Sequence, residues 1–191
     1  MSKLKANVIR YSKKLNITNL STLRSGNISI RANEKGVEGF YITPSGMKYS
    51  SLKIKDIVFV SLKGTFDKKK NKPSSEWKFH QDIYVNKKEA NAIVHAHSTC
   101  ATAVSSHQKN IPAFHYMVAV AGGEDLKCTK YATFGTKQLS KNIIKALKNR
   151  SACLIANHGQ VAFGDNLAKA FELAQEIENI CHQYINALRI G

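Results

Sequence analysis

The chain has no apolar run approaching the ~20 residues a membrane-spanning helix requires, and no hydrophobic stretch follows its opening Met-Ser-Lys-Leu-Lys-Ala-Asn. That argues against a membrane span and a secretory signal, so the expected location is the cytoplasm. Paired cysteines are also missing. Cys100, Cys128, Cys153 and Cys181 lie far apart, with no Cys-x-x-Cys spacing and none of the density of a disulfide scaffold. Reduced thiols are expected. Cys100, close to the histidines discussed below, is either a nucleophile or a small buried cysteine beside a strand, the commoner situation.

Acidic residues are scarce, 13 Asp and Glu against 29 Lys and Arg, which leaves a formal charge of +16. Such an excess invites a nucleic-acid partner. The lysines, however, are spread along the whole chain, and the one dense run, Lys68-Lys69-Lys70-Asn71-Lys72, contains no aromatic residue for base stacking. Solvated surface charge is therefore the expectation, with steering of anionic substrates as its functional counterpart. Internal repeats, low-complexity segments and linkers are absent as well. At 191 residues the chain suffices for one sizeable core and not for two, so residues 1–191 are expected to form a single domain.

What is present is a series of short apolar periodicities. Leu4, Val8, Ile9 and Leu15 predict an opening amphipathic helix from Lys3 to about Leu15. Strands are predicted at Ser25–Arg31, at Gly39–Thr43 before the turn Pro44-Ser45-Gly46, at Ile57–Leu62, at Ala92–His97, at Cys153–Ala156 and at Val161–Phe163. Ser74 and Ser75 are N-cap candidates for a helix through Tyr84, with Glu76 in its first turn. Further helices are predicted after Ser98-Thr99 to about Ser106, from Ile111 to Val120 before Gly122-Gly123, from Thr136 to Lys148, and from Asn166 to about Arg189. The last carries an apolar stripe of Phe171, Ala174, Ile177, Cys181, Tyr184 and Leu188. Strands and helices mix without strict alternation, which argues for an α/β fold with a sheet covered by helices on one face or both.

One stretch stands out chemically. In Val94-His95-Ala96-His97, side chains two apart leave the same face of an extended strand, so two imidazoles converge as a divalent metal requires. Polar residues on an open strand face would look the same. Partners decide between these readings, and His158, in the break Asn157-His158-Gly159, is one candidate. Three neutral imidazoles on Zn²⁺ would leave a position open, the design of a catalytic site. Glu76 is either a fourth ligand that doubles as a base or an exposed charge favoured by the helix dipole. His80, His107, His115 and His182 show no paired spacing and read as structural. Gly26-Asn27, Ser45-Gly46 and Ser74-Ser75 are small donor-rich turns, suited to an anion or simply to turning.

Taken in order, Ser25-Gly26-Asn27-Ile28-Ser29-Ile30-Arg31, Thr43-Pro44-Ser45-Gly46, Pro73-Ser74-Ser75-Glu76-Trp77, His95-Ala96-His97, Ile111-Pro112-Ala113-Phe114-His115-Tyr116-Met117, Tyr131-Ala132-Thr133-Phe134-Gly135-Thr136 and Asn157-His158-Gly159 resemble the class II aldolase/adducin family. The likeness runs from about residue 4 to residue 188, and within the family it is to the aldolases of L-fuculose 1-phosphate. It implies a three-layer α/β/α sandwich around a mixed, mostly antiparallel sheet, assembled as a homotetramer with interfacial active sites. It implies one Zn²⁺ per subunit on His95, His97 and His158, with Glu76 as the carboxylate that binds the free metal and acts as base. Asn27, Thr43, Ser45, Gly46, Ser74 and Ser75 match the pocket for the phosphate of dihydroxyacetone phosphate. Tyr116 matches a tyrosine that reaches in from a neighbouring subunit to serve the aldehyde oxygen.

The implied reaction is reversible cleavage of a ketose 1-phosphate to dihydroxyacetone phosphate and an aldehyde such as L-lactaldehyde. Family members also include L-ribulose-5-phosphate 4-epimerases and enzymes of 5-deoxyribulose or methylthioribulose 1-phosphates. Glu76, where an epimerase would be expected to carry aspartate, and Tyr116 favour the aldolase. A 5-deoxypentulose-1-phosphate aldolase would use the same residues. The adducin branch, a set of interaction modules, would be expected to lack the metal residues this sequence retains. Fuculose-phosphate aldolases can carry a longer C-terminal tail with a further tyrosine over the site. This sequence ends at Gly191, so closure is expected to be built differently, which bears on aldehyde specificity more than on reaction type.

Overall fold

Burial at every position of β4 and β5 and nearly every position of β6 shows that both faces of the sheet are covered. The computed structural model describes residues 2–190, with six strands in one sheet: β1 (Asn27–Glu34), β2 (Val37–Ile42), β3 (Val58–Ser61), β4 (Ala92–Ala96), β5 (Ala152–Ile155) and β6 (Gly159–Gly164). Their spatial order is β3-β2-β1-β4-β6-β5, and each neighbouring pair is antiparallel. Among the described residues, parallel pairing is confined to the isolated bridge between Cys128 and Leu154. The helices are α1 (Ser2–Ile17), α2 (Trp77–Asn86), α3 (Thr99–Ser105), α4 (Lys137–Ala146) and α5 (Leu167–Ile190).

Because successive strand residues point to opposite faces, β4 feeds two cores. Ile93 packs in a cluster with Phe79 and Ile83 of α2 and with Leu139 and Ile143 of α4. Ala92, Val94 and Ala96 join Val8 and Leu15 of α1, Val104 of α3, and Phe171 and Ile177 of α5. Helices therefore cover both faces, giving the α/β/α layering.

Two local expectations are corrected. The apolar stretch from Ile111 to Val120 is not a helix: Ile111 and Leu126 exchange backbone hydrogen bonds at 3.0 Å, and Tyr116–Ala121 alone coils, as a 3-10 turn. Pro112 has no N–H to give a helix. Ile111, Val118 and Ala121 are buried one by one, so the apolarity reflects burial without helical hydrogen bonding. At α2 the N-cap is Glu76 itself, not a serine, and its carboxylate makes no capping bond. The Ser74 carbonyl instead accepts from Trp77 N at 3.0 Å, a turn that leaves the Glu76 side chain free for other partners.

The register brings the start of β1, the end of β4 and the start of β6 to one place: Asn27 lies opposite His95, and Ala96 opposite Gln160. Two glycines let the adjoining turns close on β4. Gly26 has φ +73°, and a Cβ there would lie 2.6 Å from the His95 carbonyl oxygen. A Cβ on Gly159 would collide with the carbonyl oxygen of Ala96 and sit 3.2 Å from His97 Cα.

Candidate metal centre

Three chain segments deliver four donor side chains to the end of β4. Glu76 enters from the N-cap of α2, His95 from β4, His97 from just beyond it, and His158 from the turn between β5 and β6. Asn157 holds that turn with φ +56°, a left-handed conformation that Asn tolerates. One donor atom from each of the four lies within 4.8 Å of the others. His97 Nε2 stands 2.9 Å from His95 Nε2 and 3.0 Å from His158 Nε2. Glu76 Oε2 is 3.1 Å from His95 Nε2, and Oε1 is 3.3 Å from His158 Nε2.

These separations can be tested against a metal. A tetrahedron with bonds of about 2.05 Å has edges of about 3.3 Å, close to the distances above. The His95 Nδ1, 2.7 Å from the Gln160 carbonyl oxygen, must be the protonated nitrogen, since a carbonyl only accepts. That leaves a lone pair on Nε2, pointing into the cluster, because the bond to the Gln160 carbonyl fixes both the tautomer and the tilt of the ring. Glu76 Oε1 is buried with no hydrogen-bond partner, an orphaned acceptor that a cation would satisfy. The donor set, three imidazoles and a carboxylate, suits a divalent transition metal.

For two of the three imidazoles, electrostatics agree. Burial, reinforced by the neighbouring imidazoles, holds His97 down to about 3 and His158 to about 4, so both are unprotonated at neutral pH, as ligands must be. Burial works to raise the Glu76 pKa, but the His95 and His158 rings and the Asn27 amide outweigh it and hold the carboxyl well below its usual range. His95 is pushed upward: its burial opposes protonation, and the adjacent carboxylate overcomes that.

Beside the cluster is an open cavity of about 330 Å³, within the range of small-ligand sites. Glu76, His97 and His158 form one wall. Asn27, Ser45, Gly46, Ser74 and Ser75 line another part, and Tyr131 and Phe134 stand at the rim. Two expected residues lie elsewhere. Thr43 is fully buried and its hydroxyl accepts the Ile28 N–H at 3.3 Å, so it supports the pocket from below. Tyr116 is 80% exposed on its turn and is not part of this cavity. Cys100 does not look like a nucleophile: its thiol is raised by burial and by the Glu178 carboxylate, whose oxygens accept the Cys100 and Ala101 N–H groups at 2.8 Å.

Sequence reasoning missed Arg24 and Asn157 and left Tyr131 and Phe134 without a role. All four line the cavity. The available signal was adjacency for Arg24, beside the turn at Gly26-Asn27, and for Asn157, beside His158, and the family resemblance for Tyr131 and Phe134.

Residues 6–185 match the class II aldolase and adducin N-terminal domain family. The chain is a class II aldolase family member. A 5-methylthioribulose-1-phosphate/5-deoxyribulose-1-phosphate aldolase of Rhodospirillum rubrum is 41% identical over 188 residues, spanning 98% of this chain and 83% of that protein. An L-fuculose phosphate aldolase of Escherichia coli is 41% identical over 189 residues, spanning 99% and 86%. A solved L-fuculose 1-phosphate aldolase superposes with a TM-score of 0.93 at 39% identity, covering 100% of this chain and 89% of that one. The aldolase is thus a lyase with a candidate metal cluster. Its equal identity to enzymes of two sugar types leaves the sugar to chemistry.

Proposed function

We propose that the aldolase, as a single domain, cleaves a ketose 1-phosphate of the L-fuculose 1-phosphate type, reversibly, to dihydroxyacetone phosphate and an aldehyde such as L-lactaldehyde. The observation that carries this is the meeting of three imidazoles and a carboxylate on the wall of a cavity whose other side is built of small hydrogen-bond donors and one arginine. His95, His97 and His158 would hold Zn²⁺, with Glu76 as the fourth donor when no substrate is present. The chemistry zinc supplies when bound is Lewis-acid polarisation of a carbonyl.

The chain's own residues do the rest. Asn27, Ser45, Gly46, Ser74 and Ser75 hold the substrate phosphate, with Thr43 bracing them. Arg24, the one Lys or Arg side chain among the described residues that lines the cavity, supplies the positive charge a dianion needs. It is tethered by a hydrogen bond from Nη1 to the Gly46 carbonyl oxygen at 3.0 Å. In the condensation direction Glu76 removes a proton from C3 of dihydroxyacetone phosphate. The electron pair released there forms the new bond to the aldehyde carbon, and the aldehyde oxygen takes a proton from Tyr116. Cleavage runs the same transfers backwards, with Glu76 returning the proton to C3.

Tyr116 stands outside its own chain's cavity, so it would serve the site of a neighbouring copy, which favours a homo-oligomer, a tetramer on the family pattern, working in the cytoplasm. The likeness to the Rhodospirillum rubrum aldolase favours 5-deoxyribulose or methylthioribulose 1-phosphate as second substrates. A coupled assay for dihydroxyacetone phosphate over these three sugar phosphates, with elemental analysis of the protein, tests the reading. Release from at least one sugar by a zinc-loaded protein is expected. No release from any of them, with metal present, overturns it.

A further inference from the structure

The cavity does not explain why three polar side chains, Ser29, His80 and Tyr84, are buried behind Asn27 and Glu76 of its lining. Ser29 Oγ lies 2.7 Å from His80 Nδ1 and 2.8 Å from the Tyr84 hydroxyl. On the other side of the ring, His80 Nε2 lies 2.5 Å from Asn27 Oδ1, and Asn27 Nδ2 donates to Glu76 Oε2 at 2.9 Å. His80 and Ser29 are inaccessible to solvent, and Tyr84, Asn27 and Glu76 nearly so. The spacing Glu76, His80, Tyr84 places all three on one face of α2, turned toward Asn27 and Ser29, which share a face of β1.

The direction of every bond follows from its end. A carboxylate only accepts, so Asn27 must present its NH2 to Glu76 and its carbonyl oxygen to the ring. That oxygen needs a donor, so His80 carries its hydrogen on Nε2. Burial holds the ring's pKa down at about 3, so it is neutral and has one hydrogen to give. Nδ1 then accepts from the Ser29 hydroxyl, which accepts from Tyr84. Each hydroxyl and ring hydrogen has one acceptor, and the second hydrogen of the Asn27 amide is left for the cavity that Asn27 lines.

We infer that His80 is a positioning residue for the aldol reaction: through Asn27 it anchors Glu76 Oε2, so that Oε1 is the oxygen left to carry the proton. The reversed ring tautomer would set a lone pair against Asn27 Oδ1, turn the amide and place its oxygen against the carboxylate. The inference rests on the aldolase reading with Glu76 as proton carrier.

Two measurements on the full-length protein test it. In a protein labelled with ¹⁵N-histidine at pH 7, the His80 signals, assigned by their loss in His80→Gln, should show a protonated Nε2 and a bare Nδ1. A protonated Nδ1 overturns the chain of bonds. In kinetics, His80→Leu should lower kcat about 100-fold, the scale set by a displaced catalytic group, with KM within about threefold. His80→Gln, which restores an N–H toward Asn27 Oδ1, should recover most of that loss. Should His80→Leu fail to fold, Ser29→Ala carries the same test, with a kcat loss of about tenfold and KM retained. A folded His80→Leu or Ser29→Ala enzyme with the original kcat, or a His80→Gln enzyme as impaired as His80→Leu, overturns the positioning role. Absence of turnover in the unaltered enzyme overturns the aldolase reading instead, while the tautomer measurement still decides the chain.

Discussion

The two faces of the sheet each bury a hydrophobic cluster but depend on different properties of their side chains. Beneath α1, α3 and α5 the core is aliphatic and aromatic, with a few polar groups: Ser12 donates to the Val8 carbonyl oxygen at 2.6 Å, and Gln160 Nε2 to the Ala174 carbonyl oxygen at 2.9 Å and to Ser98 Oγ at 2.8 Å. Beneath α2 and α4, hydrophobic residues such as Phe40 and Ile83 surround the polar series from Tyr84 to Glu76. On the first face volume matters, and on the second the identity of single atoms. Replacements that keep shape but change an atom should therefore spare the first face and disable the second.

The sharpest way to separate the faces is Glu76→Gln, nearly isosteric. Turnover should fall about 1,000-fold, the range of a lost acid–base group, while elemental analysis still finds metal on the three histidines and the melting temperature barely moves. Unfolding of this variant would break the comparison. The converse is Phe171→Ala on α5, where a buried ring lies tilted against Tyr11, centroids 5.5 Å apart. Truncation should cost about 3–5 kcal/mol in chemical denaturation, with kcat per folded molecule unchanged.

Acid should act through the second face. His80, His97 and His158 have pKa values of about 3, 3 and 4 in the folded, metal-free protein, against about 6.5 unfolded. The unfolded chain therefore binds more protons between those values, and stability, full above pH 6.5, should erode as pH falls toward 4. His95, shifted upward by Glu76, works in the opposite sense as one group against three. Denaturant titrations of metal-free protein at pH 7.5, 6 and 5 should show that decline, and His80→Gln should flatten it. The smallest effect is expected at Arg24→Gln, which touches neither core. KM should rise about tenfold and inorganic phosphate should inhibit less well, equivalent to ~1.4 kcal/mol of binding, with stability within about 0.5 kcal/mol.

Legibility in the sequence followed the range of the interaction. His95 and His97 are two apart, so strand geometry alone brings them together. The α5 stripe from Phe171 to Leu188 repeats at helical spacing, and its helix forms where expected. His158 and Glu76 were reachable only as turn residues with an unusual side chain, helped by family resemblance. The Ser29–His80–Asn27 series was passed over because its bonds join positions more than 50 apart in sequence, and no local period encodes a β1–α2 contact. A clue did exist: Glu76, His80 and Tyr84 recur every fourth residue, a polar stripe on a helix with a buried face. The segment from Ile111 failed for the opposite reason, since apolarity reports burial and not which hydrogen bonds a backbone makes.

For anyone wishing to redesign what this enzyme accepts, the tight seating of Gly26 and Gly159 against β4 divides the cavity into fixed and adjustable parts. A side chain at either glycine would drive into the backbone that carries His95 and His97, so libraries spent there would return damaged centres. Tyr131 and Phe134, by contrast, are 57% and 64% exposed at the rim. Diversity introduced at those two positions can reshape the entrance while the donor cluster stays as it is.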